Sequence, residues 1–391
     1  MHSFAGTKLD ILSETLFRPL HTGANYYILI LIFLLGGEPM LCVRNGLLML
    51  PGGIREADLY IRGDKIFSVG GRWAGAEVID AAGCWVFPGF VSLCGGPEQS
   101  GGAAERSERA LAMGCTTAVE GVPAEEAERA ERQRRGRSSC DWVLQGLLDP
   151  DEPPHLSPGG ALRSFVLTAP GEGGEWEARL EELFRAAEGR PVRVPVSGGR
   201  EFFSSRSEGG GEKRRVQAAI HAIERAGGAL WLGGIRGAES LEEIRAARRR
   251  GVRVLAEAEF DALWPSEPDG RAGEDAAVLR EALLRGEIQL LEGLGGENIP
   301  RLITELSREG ERGLLAALRV LCGDPAAAVG LCPGKGMLKV GYDADVTVWD
   351  PAARRAKSVL LRGILAAGRG TVLRYGQGKA WSGGEAPEGA G

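Results

Sequence analysis

From Met40 onward the apolar residues follow two alternating rhythms. Short runs rich in Val, Ile and Leu alternate with stretches whose apolar positions recur at i, i+3, i+4 spacing, the mark of strands followed by amphipathic helices on a parallel sheet. Eight strands are predicted, at residues 86–93, 115–119, 141–147, 164–167, 192–196, 229–232, 252–256 and 287–291. Helices are predicted at 104–113, 125–135, 176–187, 212–226, 240–250 and 275–285, while strand three is followed by a Pro/Gly-rich stretch over 149–160. Eight βα units in about 250 residues imply an α/β chain with a (β/α)8 TIM-like barrel, whose chemistry belongs at the C-terminal ends of the strands.

The flanks read differently. Strand-like runs at 47–50, 57–61 and 65–69, the last two joined by Arg62-Gly63-Asp64, have counterparts at 346–349, 359–361 and 371–375. Such runs broken by turn residues predict a composite β-sandwich built from 40–87 and 331–381 around a barrel spanning 88–330. The Gly/Pro/Glu-rich tail from Ser382 is expected to be disordered. Before Met40, the run YYILILIFLL at 26–35 is too short for a membrane span of about 20 residues, and no A-x-A-like cleavage site follows it. Gly36 to Met40 can be encoded by a ribosome-binding sequence ahead of an ATG, so residues 1–39 are expected to be translated leader or a disordered tail.

Composition narrows the chemistry. A net charge of -6 gives no electrostatic footprint for nucleic acid, and no membrane partner is expected. Seven cysteines without C-x-x-C spacing predict a reducing, cytoplasmic setting. Glycine is abundant, at 60 residues, whereas histidine occurs only at positions 2, 21, 155 and 221. Imidazole is the commonest ligand of catalytic metals, so a histidine-built metal centre is nearly excluded by count.

Three stretches carry a family likeness: Asn45-Gly46 through Val78-Ile79-Asp80-Ala81; Val86-Phe87-Pro88-Gly89-Phe90-Val91; and Asp324-Pro325-Ala326 through Lys335-Gly336 to Gly341-Tyr342-Asp343-Ala344-Asp345-Val346. They resemble the dihydropyrimidinase and hydantoinase branch of the metal-dependent amidohydrolases, dihydroorotase-like proteins included. The resemblance implies hydrolysis of cyclic amides by water bridging two metal ions, which lower its pKa. It also implies a ligand set. Strand one of the family ends D-x-H-x-H, and Ser92, Cys94 and Gly96 stand there. The bridging carboxylated lysine falls on Val166, the strand-five and strand-six histidines on Pro195 and Gly234, and the strand-eight aspartate on Leu294. The substrate-polarising tyrosine falls near Gly171. The family's zinc is therefore expected to be lost.

Other side chains are weak candidates. Cys94, Glu120, Glu257 and Glu292 are predicted near the barrel mouth, where thiolate and carboxylates could hold a cation; carboxylates, however, commonly rim loops, and cysteine is often a small buried apolar residue. His155 falls in a Pro-rich loop and His221 inside a helical pattern, both expected to be structural or surface residues. The run GLCPGKG at 330–336 lacks P-loop spacing and is assigned to the β module. The expectation is a catalytically silent scaffold or oligomerisation partner, assembling with itself or with an active paralogue as inactive dihydroorotase-like subunits do. The alternative is a hydrolase of cyclic amide C–N bonds rebuilt around Cys94 and the strand-end glutamates.

Overall fold

The computed structural model describes residues 40–94, 101–149, 162–171, 174–197, 210–266, 270–295 and 298–381. The expected leader and C-terminal tail, His155, and the glycines at 95–96 and 198–199 lie outside them. The chain opens with β1 (Met40–Arg44), β2 (Leu47–Leu50), β3 (Gly53–Glu56), β4 (Leu59–Arg62), β5 (Lys65–Val69) and β6 (Glu77–Asp80). Four of these form a sheet in the order β5-β4-β1-β6. The hairpin expected at Arg62-Gly63-Asp64 joins β4 to β5, with Arg62 opposite Lys65.

One predicted strand is two. The run at 86–93 divides into β7 (Trp85–Pro88) and β8 (Phe90–Cys94), because Pro88 cannot donate to a ladder and Gly89 turns the chain. The Gly89 amide donates to the carbonyl of Asp345 at 2.8 Å, and a Cβ there would overlap the Thr116 side chain. β7 stays with the flanking sheets; β8 starts the barrel.

The barrel continues through β9 (Cys115–Pro123), β10 (Asp141–Leu148), β11 (Leu162–Leu167), β12 (Val192–Pro195), β13 (Leu230–Ile235), β14 (Val254–Glu259) and β15 (Leu290–Glu292). Each strand pairs in parallel with the next, giving an eight-stranded sheet in sequential order. Helices alternate with them: α1 (Ala103–Ala112), α2 (Ala127–Arg134), α3 (Gly174–Ala186), α4 (Gly210–Ala226), α5 (Ala238–Arg249), α6 (Phe260–Leu263) and α7 (Gly270–Arg285). After β15 come α8 (Asn298–Ser307), α9 (Gly310–Leu318), a π turn (Arg319–Gly323) and α10 (Asp324–Ala328). Strand residues such as Phe165, Val192, Leu232 and Ala256 bury one face in the main core with the helix residues Leu180, Ile220, Ile244 and Leu279. The opposite face forms a second core, in which Val91, Val119, Val143, Trp231 and Leu290 meet one another with Val329 and Leu331. That second core is the barrel lumen.

The chain then returns as β16 (Val346–Asp350), β17 (Arg355–Leu361), β18 (Ile364–Gly368) and β19 (Thr371–Val372). Both ends of the chain share one seven-stranded sheet, β19-β18-β17-β16-β7-β2-β3. A separate core holding Val43, Leu48, Ile61, Val86, Val346 and Leu360 packs it against the four-stranded sheet. The expected pairing of the two chain ends is thus observed.

Candidate functional site in the barrel lumen

Along a strand the side chains alternate between faces, so a residue two positions beyond a lumen residue also points inward. Trp231, Leu255 and Leu290 line the lumen, and two residues on stand Gly233, Glu257 and Glu292. On β12 the buried neighbours Val192 and Val194 face the helices, which turns Arg193 inward. Its guanidinium crosses the lumen. Arg193 Nε donates to Glu257 Oε2 at 2.5 Å, Nη2 lies 2.9 Å from Glu292 Oε2, and the Trp231 indole N–H donates to the same Glu257 oxygen at 3.0 Å. Burial opposes the charge on Arg193, but Glu257 and then Glu292 hold its pKa above the ordinary guanidinium value. Burial pushes the Glu257 carboxyl up to about 7 against the pull of Arg193.

Glycines make the crossing possible. A Cβ at Gly233 would stand 2.6 Å from the guanidinium carbon of Arg193. Gly234 has φ +82°, a left-handed conformation that side chains rarely adopt, and a Cβ there would strike Ser197 Oγ. One layer higher, Ser197 Oγ donates to Glu259 Oε1 at 2.5 Å and Arg236 Nη1 lies 2.5 Å from the other oxygen. Burial raises the Glu259 pKa, partly offset by the Ser197 hydrogen bond and by Arg236.

The positions singled out in the sequence are distributed unevenly over this site. Glu257 and Glu292 are brought together by Arg193, as described. Glu120 is not with them: it turns to the helix side of β9, where Arg134 Nη2 of α2 and Arg106 Nη2 of α1 lie 2.6 and 2.9 Å from its Oε2. It stands level with Cys94 at the end of β8, but the pairing turns it away from the lumen. Ser92 is buried in β8, Val166 and Pro195 are buried at the ends of β11 and β12, Gly234 lies in β13, and Leu294 follows β15. Cys94 closes β8; its side chain and Gly96 lie outside what is described. His221 is exposed on α4, on the outer ring. Arg193 escaped the sequence reading, although a lone Arg in the buried strand V-R-V-P signals an inward charge that needs a partner.

A second cluster closes the opposite end of the barrel. Asp141, Asp343 and Asp345 bring their carboxylates close enough together to hold a metal ion, but they enclose an ammonium: Lys335 Nζ lies 2.9, 3.0 and 2.5 Å from them. Burial opposes that charge and the three aspartates, Asp345 foremost, outweigh it, raising the Lys335 pKa. Arg362 pairs with Asp141, Lys65 lies 2.5 Å from Asp343, and the Trp381 ring centre is 5.3 Å from Nζ. Three carboxylates against three cations make a neutral knot between barrel and β-sandwich. GLCPGKG thus supplies the lysine that ties the two together.

Comparison with known proteins agrees with this architecture. A D-hydantoinase of Ralstonia pickettii is 26% identical over 80% of this chain and 86% of its own. A dihydroorotase of Syntrophotalea carbinolica is 26% identical over 79% and 89%. The chain is a distant homologue of D-hydantoinases and dihydroorotases. Among solved structures, a dihydropyrimidinase from Brevibacillus agri superposes with a TM-score of 0.74 at 19% identity, covering 87% of this chain and 98% of that one. A D-hydantoinase from Thermus sp. gives 0.70 at 20% identity, and both share the fold. No family model matches the chain. No helix among the described residues is long and apolar enough to cross a membrane.

Among the described positions where the resemblance places metal-site residues, Ser92 and Cys94 carry a donor atom and four others do not. Val166, Pro195, Gly234 and Leu294 offer no donor atom on their side chains, and Glu257 and Glu292 share a guanidinium.

Proposed function

We propose that this chain is a catalytically silent member of the hydantoinase and dihydroorotase group, a scaffold that assembles with copies of itself or with an intact, histidine-bearing paralogue. One observation carries the reading: the guanidinium of Arg193 spans the lumen to Glu257 and Glu292, below a left-handed Gly234 that leaves no room for an imidazole. A buried cation already occupies those carboxylates, and a second positive centre beside it would meet the like charge of Arg193 in a low-dielectric site. The strand-six histidine position, Gly234, is bare where Ser197 packs, and its neighbour Gly233 is bare where Arg193 crosses.

The test is turnover of hydantoin, dihydrouracil and dihydroorotate by full-length protein supplemented with zinc or manganese, with elemental analysis of the same sample. Turnover no faster than buffer and sub-stoichiometric metal are expected. Stoichiometric metal together with turnover overturns the reading.

A further inference from the structure

We infer that β18 and β19, at the edge of the seven-stranded sheet, form a docking surface for an extended acidic protein segment. The inference rests on the scaffold reading and names the chemistry of a partner. Eight large apolar side chains of the described residues stand well exposed, and four of them, Ile364, Leu365, Leu373 and Tyr375, fall within this one hairpin and its continuation, at 39 to 60% exposure. Scattered exposed apolar residues are ordinary; four within one hairpin and its continuation at a sheet edge mark an interaction site.

The charge is equally uneven. Between Pro351 and Ala380 the sequence carries seven arginines and lysines and no Asp or Glu, in a chain whose net charge is -6; Arg362 pairs with Asp141, and the other six remain beside or within the hairpin's sheet. Arg369 and Arg374 are exposed on either side of β19. Arg369 and Gly370 form a two-residue turn with φ +52° and +80°, closing the β18–β19 hairpin with Gly368 opposite Thr371. β19 is terminal: among the described residues it pairs with β18 alone.

An edge strand offers backbone donors and acceptors to a further strand, and native proteins guard such edges with charge. Guarding accounts for the arginines but not for four exposed apolar side chains beside them. A second copy docking edge to edge would bring two basic strands together, which is repulsive. Polyphosphate has no use for the apolar groups, and a lipid surface leaves the edge backbone unpaired. An acidic strand with apolar residues on alternate positions satisfies charge, apolar surface and backbone at once.

The test uses fluorescence anisotropy of a dye-labelled peptide of alternating Glu and Val with the full chain. Saturable, salt-sensitive binding is expected, weakened about tenfold or more in Arg369→Glu/Arg374→Glu and again in Leu373→Ser/Tyr375→Ser. Arg285→Glu, on the far helix α7, should bind as the parent does. Circular dichroism melts of each variant establish that it folds. Absence of binding by the parent, indifference to both double variants, or displacement of the peptide by phosphatidylglycerol vesicles or single-stranded RNA overturns the proposal. Hydantoin turnover by the same sample would overturn the scaffold reading while leaving the anisotropy result to judge the surface by itself.

Discussion

Replacing Arg193 by alanine should destabilise the barrel in a way that depends on both pH and Gly233. In the parent, Glu257 is 3% exposed at its side chain and Glu292 is 41% exposed, and both lean on one guanidinium. Removing one partner of a buried pair typically costs about 3–5 kcal/mol, because the other is left as an uncompensated charge. Glu292 can turn to water, so the loss falls on Glu257 and belongs at the lower end, about 3 kcal/mol. Arg193 lowers the Glu257 pKa against the larger effect of burial, so its removal lets that pKa climb further. The variant's deficit should therefore shrink as the pH falls from about 8 to about 5, where Glu257 takes up a proton instead of being buried charged. Gly233→Ala in the parent places a methyl 2.6 Å from the guanidinium carbon and should cost about 1–3 kcal/mol as overpacking. In the Arg193→Ala background that clash is gone. Urea unfolding of the parent, both single variants and the double variant measures the coupling. Additive losses, or an Arg193→Ala deficit that does not change with pH, would show that the guanidinium does not fill the lumen as described.

Three further outcomes follow from the same packing. Glu257→Gln should flatten the dependence of thermal stability on pH: the native pKa of about 7 exceeds the unfolded value of about 4.5, so the native state holds the extra proton, and the parent loses stability as the pH rises between those values. Melts across that window check it. Lys335→Met should cost about 3–5 kcal/mol near neutral pH by leaving Asp141, Asp343 and Asp345 with one cation fewer, and mild acid should restore part of the loss, since Asp343 is held below the usual carboxylate range largely by Lys335 in spite of burial. Urea titrations at two pH values read both effects. Glu120→Ala should destabilise by about 3 kcal/mol, because Arg134 stays buried without its carboxylate, yet leave Trp231 fluorescence unmoved; a shifted emission maximum would return Glu120 to the lumen.

What could be read in advance divides along the physics of each element. Helices 240–250 and 212–226 are observed within about two residues of their expected bounds, since one wet and one buried face impose the 3.6-residue period on the sequence itself. Barrel strands are buried on both faces, and β9 is buried at nearly every position, so alternation of polarity cannot say which face is the lumen. That is why the sequence cannot tell that Glu120, level with the end of β8, faces Arg106 and Arg134 on the helix side. Position 89 was no easier, because the hydrogen bond from Gly89 to Asp345 and the crowding by Thr116 that bars a side chain there appear only in the fold. The expectation that the family ligands are missing rests on a count of four histidines, which needs no geometry. The lumen ion pairs needed register: Arg193 pairs with Trp231 across β12 and β13, Leu290 with Glu257 across β14 and β15, and only that alignment brings charges 64 and 99 residues apart into one pair of contacts. The bare Gly233 and Gly234, which from sequence alone look like deletions of chemistry, are in the fold the space into which Arg193 and Ser197 have grown. A side chain at position 234 would need the space that Ser197 fills, and one at position 233 the space that Arg193 fills, so each of these packings holds only while its glycine stays bare.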